Sequence, residues 1–146
     1  MNEKITVGSI EISTSMPLPL ADAGIRAGFP SPAQDYMDVA IDLNKELVRH
    51  PSTTFYGRVK GDSMEEAHVY DGDILVIDKS IEPQNNDMAV CYLDGEFTLK
   101  YIEITEDGIS LIPANPKYPV IRVGEEQNLI VWGVVTYVIH KAQRRK

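Results

Sequence analysis

Apolar residues along this chain come in short runs separated by Gly, Pro, Asn and Asp. The runs are too short for amphipathic helices and rich in β-branched and aromatic residues, which predicts strands. Seven follow one another: Thr53–Val59, Asp73–Asp78, Met88–Leu93, Phe97–Ile104, Ile109–Pro113, Val120–Val123 and Leu129–Ile139. Asp73–Asp78 is apolar almost throughout, so burial on both of its faces is expected. Asp94-Gly95 is a two-residue hairpin signal, and Pro83–Asp87 and Glu106-Asp107-Gly108 read as further turns. Gly133, inside the longest run, marks a bend or bulge. Only Leu43, Leu47 and Val48 repeat at helical spacing, with Asp42 placed to cap ahead of Glu46. That predicts a helix from Leu43 to Arg49, stopped before Pro51. No helix is long enough to cross between parallel strands, so the fold should be mainly β and antiparallel.

The first 35 residues follow a different rule. Ile5-Thr6-Val7 and Ile10–Ser13 suit short strands, after which Pro17, Pro19, Gly24, Gly28, Pro30 and Pro32 should break any regular element. Two readings stay open: a disordered tail, or an arm that docks through Leu18, Leu20, Ile25 and Phe29. The organisation expected is a mobile N-terminal arm over residues 1–35 and a compact domain over 36–146. The basic end, His140–Lys146, reads as a solvated, fraying terminus.

A chain of 146 residues with 43% apolar content can bury a core, and fits one domain with an arm. A formal net charge of −8 argues against direct nucleic-acid binding, which needs clustered Lys and Arg. It leaves open docking onto a protein that itself holds DNA. The single cysteine, Cys91, has no intramolecular partner, which fits a reducing compartment. No apolar run approaches a membrane span or a signal-peptide core, so a soluble, cytoplasmic protein is expected.

Which residues can do chemistry? A hydroxyl is a poor nucleophile until a neighbour takes its proton. His50, His68 and His140 are the usual candidates for that base, but none has a recognisable triad setting, and each reads as a surface histidine. No His/Cys cluster has metal-ligand spacing and no glycine-rich phosphate loop occurs, so no metal or cofactor is expected. Lysine remains, and a lysine accepts a proton only when it is neutral, which burial favours. Lys100 lies within the apolar run Gly95–Ile102, although periodicity by itself favours an outward-facing strand lysine. Ser63, in Gly61-Asp62-Ser63-Met64, is by itself ordinary turn chemistry. Asp71 and Asp73, flanking Gly72, also fit a turn and receive no catalytic role. Cys91 reads as a small core residue and Trp132 as a core or interface aromatic.

The constellation says more than its members. Ala27-Gly28-Phe29-Pro30-Ser31-Pro32, then Gly61-Asp62-Ser63-Met64 with Asp71-Gly72-Asp73 behind it, then Gly95-Glu96-Phe97-Thr98-Leu99-Lys100, resembles the UmuD branch of the LexA-like self-cleaving proteins. Phe29–Ala33, Ile41–Asn44, His50-Pro51-Ser52 and Gly133-Val134-Val135 are similar to that branch in particular. The resemblance implies a compact antiparallel β domain of the LexA/UmuD C-terminal type. It implies Ser63 as nucleophile, Lys100 as general base and acid, and Ala27-Gly28 as the cleaved bond. It further implies a homodimer in the SOS response that cuts itself when RecA-like filaments form on single-stranded DNA. The product would then join a UmuC-like catalytic subunit as an error-prone translesion polymerase. Two positions depart from the pattern. Ala27 stands where this branch typically has cysteine and the LexA repressors have alanine, and His68 stands where the family tends to have glycine.

Other classes are open to comparison. A LexA-type repressor needs a DNA-binding domain before the cleavage site, and 27 residues without a basic patch do not accommodate a helix-turn-helix. A signal peptidase shares the dyad but needs a membrane anchor. A non-catalytic β-rich interaction module is the remaining alternative, with Ser63 and Lys100 purely structural.

Overall fold

A computed structural model describes residues 4–9, 15–20 and 39–143. They fall into two units, one holding residues 4–9 and 50–143 and the other residues 15–20 and 39–49. The expected boundary between Asp35 and Tyr36 lies outside the described residues, as does the Ile10–Ser13 strand. In chain order the strands are β1 (Lys4–Ser9), β2 (Pro17–Leu20), β3 (Val39–Asp42), β4 (Thr54–Lys60), β5 (Ile74–Asp78), β6 (Met88–Leu93), β7 (Glu96–Thr105), β8 (Gly108–Ile112), β9 (Ile121–Arg122) and β10 (Leu129–Ile139). One short helix, α1 (Leu43–Leu47), follows β3, and single 3-10 turns occupy Pro51–Thr53 and Glu65–Ala67.

The larger unit is a compact antiparallel β domain, as expected. Its eight strands run in the order β1-β4-β5-β10-β6-β7-β8-β9, and every neighbouring pair is antiparallel. The last strand, β10, inserts between β5 and β6 and joins the two halves of the sheet. Leu75, Val76 and Ile77 on β5 are all fully buried. Since successive side chains point to opposite faces, this strand is covered on both sides, which explains its unbroken apolar run. The Asp94-Gly95 turn has positive φ at both residues (48° and 90°), the backbone a two-residue hairpin needs.

Gly133 marks a register shift against β6, and β10 shifts again against β5 between Val135 and Tyr137. A Cβ on Gly133 would sit 2.6 Å from Ile77 Cγ2, a fully buried atom with no room to retreat. Glycine therefore lets β10 close on β5.

Alternation along β6 and β7 gives each face its own core. Ile5, Val59, Met64, Val69, Leu75, Ile77, Val90 and Leu99 form one cluster, and Ala89, Cys91, Ile102 and Leu111 the other. Ile5 belongs to β1, so the N-terminal strand contributes to the first core. Lys100 pairs with Ala89, and Thr98 with Cys91, across β6 and β7. Lys100 thus shares the parity of Ile102 rather than that of Leu99, and it is 5% exposed. The outward-facing reading of this lysine is overturned, because both faces of the sheet are covered here.

In the smaller unit β2 pairs antiparallel with β3. Pro17 and Pro19 do not break this element as expected. They alternate along a strand with one bonded neighbour among the described residues, where a missing N–H at every second residue leaves the ladder intact. Asp42 caps α1 by accepting from Asn44 N (3.1 Å), and Ser15 Oγ donates to its other oxygen (2.8 Å). The serine hydrogen bond lowers the Asp42 carboxyl below its ordinary value. The helix ends at Leu47, short of Arg49.

His50 and His140 are exposed, as expected of surface histidines, and each is also anchored to a buried aspartate. His50 Nδ1 lies 2.6 Å from Asp78 Oδ2, a bond that requires the proton on that nitrogen because a carboxylate only accepts. Thr53 Oγ1 and Ser80 Oγ donate to Asp78 Oδ1 (3.0 and 2.7 Å). Ser80, His50 and Asp78 do not form a relay, since Ser80 meets the same histidine nitrogen that Asp78 occupies. His140 Nδ1 lies 2.7 Å from Asp73 Oδ1, and its ring packs on Tyr70 (5.1 Å between centroids). The chain is therefore held through His140 rather than fraying from it; residues 144–146 lie outside the described residues.

Two expectations follow for stability. Gly133→Ala should lower the unfolding free energy by about 1–3 kcal/mol through overpacking against Ile77. An unchanged urea midpoint would show that β10 and β5 separate freely there. Burial alone would raise the Asp78 carboxyl, but the bonds from His50, Ser80 and Thr53 outweigh it and hold it at about 2. A carboxyl depressed in the folded state stabilises above its unfolded value, near 3.8, and loses that contribution as pH falls towards 2. Wild type should accordingly lose about 2 kcal/mol more than Asp78→Asn between pH 5 and pH 2 in urea titrations. Parallel curves would remove the cluster from the account of acid stability.

Candidate active site

The nucleophile candidate sits where β4 leaves the sheet. Gly61, at φ 107°, takes a conformation that side chains disfavour, and its N–H donates to Asp71 Oδ1 (2.9 Å). Val59 N donates to Asp73 O and Gly72 N to Val59 O (2.9 and 2.8 Å), and Tyr70 N donates to Asp73 Oδ2 (2.9 Å). Asp71 and Asp73 therefore hold the turn, the role expected of them.

A second segment braces the turn from fifty residues downstream. Asn115 Nδ2 donates to Asp62 O (2.9 Å), and Tyr118 Oη donates to Asp62 Oδ1. Ala114 N donates to Ser63 O (2.8 Å), while Glu66 N donates to Ala114 O (2.7 Å). Ser63 is left 2% exposed, beside the buried Met64.

The two candidate groups meet under the sheet. Lys100 Nζ donates to Ser63 Oγ (3.2 Å), Thr98 Oγ1 (2.7 Å) and Leu99 O (3.0 Å). A hydroxyl and an amine in direct contact, both buried, form the pair that proton transfer from serine requires. Cys91 pairs with Thr98 across the sheet. Burial pushes its thiol up to about 12, against a smaller opposing effect of the Lys100 charge. It stays a protonated core residue, as read from the sequence. Among the described residues no group of three or more His, Cys, Asp or Glu is placed to hold a metal, and no helix is long and apolar enough to cross a membrane. Ala27-Gly28 lies outside the described residues.

Thr98, Ala114, Asn115 and Tyr118 were not singled out in the sequence. Thr98 had a signal: it lies two residues before Lys100, hence on the same face of the same strand. Asn115, between Pro113 and Pro116, reads only as loop, and nothing local links it to Asp62.

With this geometry in view, comparison with known proteins is decisive about class. A family model described as Peptidase S24-like matches residues 19–136, and the chain belongs to that family. It is a self-cleaving serine peptidase of the kind linked to SOS mutagenesis and translesion synthesis. Among its relatives, Protein SamA of Salmonella typhimurium is 42% identical over 125 residues, 86% of each chain. Protein MucA of Escherichia coli is 40% identical over 114 residues, 77% of each chain. The LexA repressor of Delftia acidovorans is 33% identical over 134 residues, which cover 91% of this chain and 59% of the repressor.

His68, the departure noted from the family pattern, closes the 3-10 turn after Ser63 at φ 61° and ψ 36°. That left-handed conformation is the reason glycine suits the position. The ring Nδ1 lies 3.3 Å from the Tyr70 hydroxyl. His68→Gly should raise stability by about 0.5–1 kcal/mol, the relief of left-handed strain less the entropy glycine adds to the unfolded chain. A lower thermal midpoint would show that the contact with Tyr70 outweighs the strain.

Proposed function

We propose that Ser63 is the nucleophile and Lys100 the general base and acid of this self-cleaving peptidase, and that Ala27-Gly28 is the bond cut. The observation that carries the reading is the Lys100 Nζ–Ser63 Oγ hydrogen bond between two buried groups. As Ser63 Oγ bonds to the Ala27 carbonyl carbon, its proton passes to the neutral Lys100 amine. The resulting ammonium returns that proton to the Gly28 nitrogen as the C–N bond breaks. Water then hydrolyses the ester, with Lys100 again taking a proton. Thr98 Oγ1 and Leu99 O fix the direction of the amine throughout, and backbone N–H groups at the nucleophile turn stabilise the oxyanion. Small residues on both sides of the bond suit entry into a narrow cleft.

In this reading residues 1–35 are the arm that carries the bond and residues 36–146 the peptidase domain. The protein works in the cytoplasm as a homodimer. A RecA-like filament on single-stranded DNA activates it, and the product serves a UmuC-like translesion polymerase without itself binding nucleic acid. Residues 1–27 hold Glu3, Glu11 and Asp22 against Lys4 and Arg26, so their loss changes net charge by one. Cleavage is not a charge switch.

Because the reactive base is the neutral amine, the single-turnover rate should rise up to ~10-fold per pH unit while most Lys100 is ammonium, then level off. Mass spectrometry should find a product beginning at Gly28. Ser63→Ala should be silent at every pH, and Lys100→Arg also, since arginine keeps its proton. His68→Ala should cleave like wild type. The measurement is the cleavage rate from pH 6 to pH 11, with folding checked at each pH. Cleavage by Lys100→Arg at the wild-type rate would remove the dyad assignment, and a chain that stays intact under all activating conditions would favour the non-catalytic module.

A further inference from the structure

Neither the amine nor the hydroxyl explains why the nucleophile turn keeps its shape. The turn leaves β4 through a glycine, which adds backbone freedom at its start. Besides the Asp71 bond to Gly61 N and a bond within the turn from Glu65 N to Asp62 O (3.2 Å), a side chain from outside the turn restricts it. Asn115 is 7% exposed, and both ends of its carboxamide are used: Nδ2 donates to Asp62 O (2.9 Å) and Oδ1 accepts from Lys117 N (3.0 Å). At that burial, water is poorly placed to replace a lost donor.

The bond acts on the nucleophile through peptide geometry. In a planar trans peptide the C=O and N–H point in opposite directions. Asp62 O belongs to the peptide that ends in Ser63 N–H, so anchoring the oxygen sets the direction of that N–H and the origin of the serine side chain. The next peptide is set in the same way by Ala114 N on Ser63 O. Tyr118 Oη adds a third anchor, on the Asp62 carboxylate. All of these donors come from the short stretch 114–118, between Pro113 and Pro119.

We propose that Asn115, seconded by Tyr118, is the positioning residue of the reaction, holding the Asp62–Ser63 peptide so that the Ser63 hydroxyl stays in line with Lys100. It does not touch the reacting atoms. The inference rests on the dyad reading above.

The test compares full-length wild type, Ser63→Ala, Asn115→Ala, Tyr118→Phe and the Asn115→Ala/Tyr118→Phe double variant. Single-turnover cleavage is followed from pH 6 to pH 11, well below each variant's thermal midpoint. Asn115→Ala should lower the plateau rate about 10- to 100-fold, the effect of a slightly misplaced reacting group, while the pH at which the rate levels off stays put. Tyr118→Phe should cost about 3- to 10-fold, and the double variant less than the product of the two, because both act through Asp62. A merely structural role predicts rate losses that follow the unfolded fraction and vanish on cooling, and that result would overturn the proposal. So would a displaced pH profile, which would place the effect on the amine. If Asn115→Ala does not fold, Tyr118→Phe, which loses one oxygen, decides by the same criteria. A silent Ser63→Ala beside wild-type rates in both single variants would sink the positioning role alone. Cleavage by Ser63→Ala would sink the dyad reading beneath it.

Discussion

A lysine whose amine ends beneath a β-sheet is the constraint on which this fold turns. Taking an ammonium out of water costs several kcal/mol unless hydrogen bonds replace the lost hydration. Here the replacements are a serine hydroxyl, a threonine hydroxyl and a main-chain carbonyl. Two of them come from the lysine's own strand and are present as soon as β7 forms. The third must be brought from β4 by a turn, and much of the tertiary structure serves that delivery.

The delivery works because the turn is gripped from two sides that are far apart in sequence. On one side Asp71 and Asp73 tie it to the start of β5, and Asp73 is tied in turn to His140 just beyond β10. On the other, Ala114 and Asn115 approach from the segment after β8. β10 lies between β5 and β6, so the half of the sheet that carries Ser63 and the half that carries Lys100 meet through the last strand of the chain order. Gly133 matters to the site for this reason, although it touches neither residue. Where it sits, any Cβ would hold the two halves apart.

Local order was legible in the sequence, and long-range partnership was not. Met88–Leu93 and Leu129–Ile139 were read with their observed bounds, and the Asp94-Gly95 turn and the Gly133 irregularity followed from the chemistry of those residues. Lys100 shows the limit. Period-two alternation put it opposite Leu99 and therefore, on a one-sided sheet, outward. The sheet is two-sided, so the opposite face is also interior, shared with Cys91 and Ile102. Only the joint pattern of three motifs pointed the other way. His50 and His140 are surface histidines as expected, but their anchors were not legible, because the partners are 28 and 67 residues away and no local spacing reports a buried aspartate. Pro17 and Pro19 failed for a different reason: the rule that proline breaks strands holds for central strands, and among the described residues β2 has one bonded neighbour.

The placement of β1 bears on what cleavage does. It pairs with β4 from Lys4–Lys60 to Ser9–Phe55, and Ile5 is buried in the core cluster with Val59 and Leu75. Under the proposed cut at Ala27-Gly28, this strand loses its covalent link to the sheet. Burial of one isoleucine stabilises by about 1.5–3 kcal/mol. Millimolar binding already needs about 4 kcal/mol, after the cost of association has been met. After such a cut the strand is held by non-covalent contacts, its ladder with β4 and the packing of Ile5 among them, without the tether that raises its effective concentration. Without β1, β4 would be the edge of the sheet, with the backbone of Phe55–Lys60 open for pairing. Under the proposed cut net charge alters by only one, so loss of β1 would distinguish cut from uncut chains by an opened strand edge rather than by charge.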